Sequence, residues 1–105
     1  MKKTKRRALE RAGWRVGTVE EFLDLTKAES ALVELRLALS KKLRSKRTRR
    51  NLTQGQLAKL LGSSQSRVAK MEAGDPSVSL DLLIRSLLAM GASQKEVARA
   101  IGHTY

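Results

Sequence analysis

Residues 52–72 read LTQGQLAKLLGSSQSRVAKME, and the punctuation of this stretch decides the fold. Thr53 stands three residues before Gln56, the spacing at which a hydroxyl and a carboxamide close the first turn of a helix onto each other. Leu57, Ala58 and Leu61 give that helix an inward face, and small Ala58 permits close approach of a second helix. Gly62 can take the left-handed conformation that ends a helix at little cost, and Ser63 is placed to cap the next helix at once. Two short helices separated only by Gly62 and Ser63 are therefore expected. At about 100° per residue, the second helix carries Ser64, Val68, Met71 and Glu72 on one side and Ser66, Ala69, Lys70 and Ala73 on the other. Val68 and Met71 face the core, so Gln65, Ser66 and Lys70, with Arg67 on the flank, face outward.

The same punctuation extends along the rest of the chain. Thr18 with Glu21, Thr26 with Glu29, and Ser93 with Glu96 repeat the capping-box spacing. Ser79 is a further N-cap candidate, and Gly74, Gly91 and Gly102 stand where helices should stop. Helices are predicted at 19–25, 27–49, 54–61, 64–73, 80–90 and 94–101, giving an all-α compact helical bundle. Only Trp14-Arg15-Val16 has strand-like alternation, within a short N-terminal extension. The organisation expected is a basic arm and extension at 1–26, then one helical domain at 27–105 with its paired helices at 51–74. On the long helix, Leu32, Leu35, Leu39 and Leu43 form one stripe, with Val33 and Leu37 on another. Two readings of those stripes stand open: one core covers both, or one of them faces a subunit or partner. The last helices offer Leu83, Ile84, Leu87, Leu88, Val97 and Ile101, enough apolar surface for a dimer face as well as a core.

Composition sets the class of partner. Twenty-two Lys and Arg against ten Asp and Glu give a formal charge of +12 and a pI near 11.0. A polyanion is the first expectation, although a polybasic segment can equally meet an anionic lipid surface. The charge is clustered. Lys2, Lys3, Lys5, Arg6, Arg7, Arg11 and Arg15 crowd the first fifteen residues, and a second block runs from Lys41 to Arg50. Between them the sign reverses, with Glu20, Glu21, Asp24 and Glu29 against Lys27. The absence of cysteine and the lone His103 exclude a disulfide framework and a thiolate metal site. No apolar run long enough to cross a membrane or act as a secretory signal occurs, so a cytoplasmic protein is expected. No catalytic residue is expected either: the serines are used as caps, the carboxylates are scattered over helix surfaces, and the glycines lack phosphate-cradling spacing. No cofactor or metal is expected.

Two short capped helices joined by a tight turn are the helix-turn-helix arrangement, whose second helix can enter a DNA major groove. An amide such as Gln65 can pair with adenine and a lysine such as Lys70 can donate to guanine. Residues 41–90 resemble the Xre/Cro-repressor helix-turn-helix family of bacterial and phage regulators. The resemblance rests on Arg47, Leu52, Thr53-Gln54, Leu57-Ala58, Leu61-Gly62, Gln65, Val68, Glu72, Gly74 and Ser79-Leu80. It implies a lambda-repressor-like fold and a function as a sequence-specific DNA-binding regulator, acting as a repressor on double-stranded operator DNA. It further implies base contacts from Gln65, Ser66 and Lys70, a phosphate contact from Gln54, and an ion pair between Arg47 and Glu72. Arg67, Lys41, Arg44 and Arg50 are further candidates for phosphate contacts. Ser66 and Ala69 depart from the commonest pattern, where relatives carry larger polar groups, which shifts specificity toward Gln65, Lys70 and DNA shape.

The stretch at 13–25, GWRVGTVEEFLDL, is similar to N-terminal extensions of HigA-like antitoxins. That resemblance implies a toxin partner of the RelE/HigB superfamily. A homodimer is expected because one reading head buries only about 600–1,000 Å² on DNA. The alternative is a protein-interaction module that mainly holds or neutralises a partner protein, with DNA binding secondary.

Overall fold

The computed structural model describes the backbone of residues 19–102 and the side chains of residue 24 and of residues 26–102. The basic residues of 1–15, the strand expected at Trp14–Val16, the Thr18 cap and His103 lie outside the described residues. Among the described residues five helices follow in order: α1 at Val19–Arg49, α2 at Gln54–Leu61, α3 at Gln65–Ala73, α4 at Leu80–Ala89 and α5 at Gln94–Gly102. Among the described residues there is no strand, so the fold is all-α.

The chain divides into two units, Met1–Val33 and Glu34–Tyr105. What is described of the first is the N-terminal half of α1. This corrects the sequence reading, which began a new helix at Lys27 behind a Thr26 cap. A cap requires extended backbone at Thr26, and no glycine or proline interrupts Leu25-Thr26-Lys27-Ala28. Once a helix is nucleated, each further residue adds a hydrogen bond at little entropic cost, so the turn continues through Thr26.

The second unit holds the core. Leu39 and Leu43 of α1, Leu57 and Ala58 of α2, Val68 and Met71 of α3, Leu83 and Leu87 of α4 and Val97 of α5 are buried, joined by Val78, Met90 and Ala92 from the connections. The first α1 stripe therefore divides along its length, and the second stays outside the core. Leu39 and Leu43 enter the core, whereas Leu32, Val33 and Leu37 stay exposed. Of the apolar set at the C-terminal end, Leu83, Leu87 and Val97 are buried and Ile84 and Ile101 are packed against the core. Only Leu88 remains exposed, so one chain's core uses most of the surface expected for a dimer face.

Long-range polar contacts fix the frame. Lys46 and Lys42 reach Glu96 of α5 at 3.1 and 3.7 Å, which holds its carboxyl below the usual range, the Lys46 hydrogen bond contributing most. Arg36 donates from Nε to the Val78 carbonyl at 3.2 Å, tying α1 to the connection between α3 and α4. After α1 ends at Arg49, the chain turns at Asn51, which takes a positive φ of 56° while Leu52 N–H bonds back to the Arg47 carbonyl. Asparagine is one of the few side chains that tolerates this conformation.

Candidate nucleic-acid interface

The two helices of residues 54–73 are set by their caps. Gln56 N–H donates to Thr53 Oγ1 at 3.1 Å and Thr53 N–H donates to Gln56 Oε1 at 2.8 Å, so both halves of the capping box are made. At the other end of α2, Gly62 adopts φ 64° and Ser63 N–H bonds back to the Ala58 carbonyl at 2.8 Å. That bond corrects the expected cap. Ser63 still belongs to the termination of α2, so the capping duty passes to Ser64, whose Oγ accepts from Arg67 N–H at 3.1 Å. α3 thus begins at Gln65, one residue later than its sequence reading.

Val68 and Met71 anchor α3 in the core, leaving Gln65, Ser66, Arg67 and Lys70 exposed and Ala69 half-buried. A shallow concavity of about 350 Å³ runs beside this face, lined by Ser64, Ser66, Arg67, Lys70, Ser77 and Val78. Its wall at Ser77 is shaped by Asp75, whose Oδ1 accepts from Ser77 N–H at 2.8 Å. Hydrogen bonds from the Ser77 side chain and backbone hold the Asp75 carboxyl below the usual range, with Lys70 and Arg36 adding to the effect. The concavity carries two positive charges, Arg67 and Lys70, and three hydroxyls, a donor set suited to phosphate oxygens and base edges.

Behind α3, Glu72 organises the site. Its side chain is 4 % exposed and receives Arg47 in a two-pronged contact, Nε to Oε2 at 2.6 Å and Nη2 to Oε1 at 3.0 Å. Arg47 also donates from Nη1 to the Leu52 carbonyl at 2.8 Å, so one guanidinium joins α1, the α1–α2 connection and α3. The Glu72 hydrogen bond and charge raise the Arg47 pKa further above its already high value, against the opposing effect of burial. Gln54, the first residue of α2, donates from Nε2 to Glu72 Oε1 at 3.2 Å. Gln65 folds back toward the same turn: its Oε1 lies 3.7 Å from where a Cβ on Gly55 would stand. The structure thus brings Arg47 and Gln54 together on Glu72, where the last turn of α3 meets the start of α2, while Gln65, at the other end of α3, lies beside Gly55.

The remaining basic candidates are separated. Lys41 and Arg44 are exposed on α1 within about 40° of Leu37, by the period of the helix. Leu37 itself packs at the C-terminal end of α3, its Cδ2 only 2.8 Å from a Cβ built on Gly74. Arg50 lies elsewhere, its Nη2 3.0 Å from a Cβ on Gly91, beside the connection between α4 and α5. Sequence reasoning missed Ser64 and Ser77 as lining residues. The signal for Ser77 was present in Asp75-Pro76, a pair that starts turns.

Residues 43–91 match the protein-family model described as helix-turn-helix. These residues form a helix-turn-helix. No match was found among curated proteins or among solved structures. The helix-turn-helix domain spans the end of α1 through α4, so the Arg47–Glu72 contact, the concavity and the exposed face of α3 all lie inside the matched segment. Among the described residues no helix is long and apolar enough to cross a membrane, and no group of three or more His, Cys, Asp or Glu is placed to hold a metal.

Proposed function

We propose that this chain is a sequence-specific transcriptional regulator that places α3 in the major groove of operator DNA, binds as a homodimer and represses the promoter it occupies. The observation that carries this reading is the exposed polar face of α3, Gln65, Ser66, Arg67 and Lys70, on a helix whose opposite face is locked in the core. Rigid placement matters because base recognition depends on donor geometry. Gln65 and Lys70 read base edges, Ser66 contributes a short hydroxyl contact, and Arg67 with the neighbouring serines meets phosphates. Gln54, Lys41 and Arg44 supply further phosphate contacts from α2 and α1, and Arg50, beside the connection between α4 and α5, supplies another. In this reading the chain acts by binding rather than by catalysis and works in the cytoplasm. A second half-site, read by a second copy, adds the affinity and specificity that one module lacks.

The test is selection from a randomised duplex pool with the native chain and with Gln65→Ala, Lys70→Ala and Gln54→Ala. The first two variants should lose about 1–3 kcal/mol of discrimination at particular base pairs, while the third weakens all sequences alike. Unchanged preference in both Gln65→Ala and Lys70→Ala sinks the assignment. A promoter-reporter assay separates repression from activation.

A second reading, in which the chain is also the antitoxin of a RelE/HigB-superfamily toxin, is favoured by an apolar groove of about 360 Å³ between α2 and α4. Leu60, Leu61, Met71, Leu82 and Ala89 line it, and Leu60 is 65 % exposed. Co-expression with the product of an adjacent gene, followed by size-exclusion chromatography of the native chain and Leu60→Asp, tests it. A complex unaffected by Leu60→Asp removes the groove from the argument, and the absence of any complex removes the antitoxin reading.

A further inference from the structure

The C-terminal half of α1 divides its cations between two sides. Leu37 packs at the C-terminal end of α3, against Gly74, and marks the side of α1 turned toward that helix. Lys41 and Arg44 stand near it, whereas Lys42, Lys46 and Arg49 lie about 120–180° round the helix from Leu37. Lys46 and Lys42 meet Glu96 of α5 at 3.1 and 3.7 Å. Arg99, three residues on from Glu96, and Lys95, one turn before Arg99, border that contact and are exposed. Arg49 and Arg50 are exposed as well, and Arg50 extends to Gly91, just ahead of α5. These six cations form one patch. From Ser40 to Arg50 and along α5, Glu96 is the only carboxylate, so most of that charge is left uncompensated.

The patch lacks what a protein or a membrane needs. Protein interfaces are centred on large apolar or aromatic anchors, and helices that lie on a bilayer bury an apolar face. Among the described residues the exposed large apolar side chains of α1 are Leu32, Val33 and Leu37, all ahead of the patch, and α5 has none. A duplex requires only the cations: Lys and Arg meet its phosphates, and the counterions released drive binding.

We propose that this patch is a second duplex-binding surface, blind to sequence, which holds one segment of DNA while α3 reads another. Arg50, assigned above to a phosphate, meets the second segment rather than the one under α3. The inference rests on the regulator reading only for the first segment. DNA held at α3 keeps neighbouring stretches of the same molecule at high local concentration, so contacts too weak to capture a free duplex are filled on a long one.

The test is an NMR titration of the isotope-labelled full chain at about 0.05 M salt, first with one equivalent of the selected operator duplex and then with a short random-sequence duplex. Resonances of Gln65, Ser66 and Lys70 should move in the first step, and those of Arg49, Arg50, Lys95 and Arg99 only in the second. Arg49→Gln/Lys95→Gln/Arg99→Gln leaves the contacts of Lys42 and Lys46 to Glu96 in place, and circular dichroism confirms its fold. This variant should bind the operator as the native chain does and lose the second set of shifts. Its slope of log affinity against log salt for the random duplex should be shallower by about 3, one for each cation removed. Gln65→Ala/Lys70→Ala should keep the response of the patch to the random duplex. A patch that moves with the first equivalent lies on the same duplex as α3 and overturns the proposal, as does one that stays silent in excess random duplex. Shifts at the patch with a silent α3 retain the second surface and defeat the reading of α3 as the DNA-binding face. Polyglutamate or phosphatidylglycerol vesicles that move the patch at a lower concentration of charge than the duplex assign it to an acidic protein or to a membrane, and overturn the proposal equally.

Discussion

Replacing Arg47 by alanine should unfold the domain more readily than any surface change, and the size of the effect follows from its contacts. The guanidinium makes two bonds to a Glu72 side chain that is 4 % exposed and a third to the Leu52 carbonyl, while being only 14 % exposed itself. Removing it leaves the carboxylate with Gln54 Nε2 as its remaining described donor. Breaking one side of a buried pair costs about 3–5 kcal/mol, because the surviving charge stays out of water. For a domain of this size each kcal/mol lowers Tm by about 4–8 °C, so Arg47→Ala should melt at least about 12 °C lower. Arg47→Lys should fall between the two, since an ammonium cannot reproduce the paired geometry of a guanidinium. Glu72→Gln retains one acceptor oxygen and should cost less than Arg47→Ala. Thermal melts of both single variants and the double variant, followed by circular dichroism at neutral pH, give the coupling energy. A double variant that equals the sum of the singles within about 0.5 kcal/mol refutes the direct pairing, as does an Arg47→Ala effect below about 1 kcal/mol.

Other perturbations test the surrounding frame. Gly62→Ala and Gly74→Ala both place an L side chain at positive φ, which costs about 1–2 kcal/mol. Gly74→Ala should lose more because its methyl meets Leu37 Cδ2 while Gly62 faces open space, and Leu37→Ala should erase the difference in denaturant melts. Ser40 is 1 % exposed and its Oγ has no hydrogen-bond partner among the described residues. An unpaired buried hydroxyl costs about 1–3 kcal/mol, so Ser40→Ala should be neutral or stabilising, and a clear loss of stability would show a partner for that oxygen. Glu96 has a folded-state pKa below its ordinary 4.5 because Lys46, and then Lys42, favour its charged form. Its contribution is present above that value and is lost as pH falls through the depressed folded pKa. Acid unfolding of Glu96→Gln should therefore be less steep below pH 4.5 than that of the native chain, and identical acid limbs would remove Glu96 from the account.

Much of the fold was readable because its signals are local. A capping box, a left-handed glycine and an apolar repeat each act within one or two turns, so the helices of residues 54–73, 80–89 and 94–102 stand close to where Thr53, Gly62, Ser79 and Ser93 place them. The outward set on α3 was legible for the same reason: with Val68 and Met71 inward, helical geometry fixes where Gln65, Ser66 and Lys70 point. Failure came where two local signals competed at nearly equal strength. Thr26 carries a cap sequence inside good helix-forming residues, and continuation of the helix won. Ser63 and Ser64 are chemically alike, and only the backbone bond from Ser63 to Ala58, part of ending α2, hands the cap to Ser64.

The sequence by itself determined an all-α chain with a helix-turn-helix at its centre, because helix starts, stops and faces depend on neighbours within a few residues. Tertiary structure decided the use of each charge and each apolar stripe. Lys42 and Lys46 could as well have faced solvent or phosphate, and the approach of α5 brings Glu96 to them. Gln54 meets Glu72 because Arg47 already holds that carboxylate beside the first turn of α2. Leu39 and Leu43 are buried while Leu32, on the same stripe, stays exposed. A helix repeats its faces along its whole length, but which turns are covered depends on where the other helices lie.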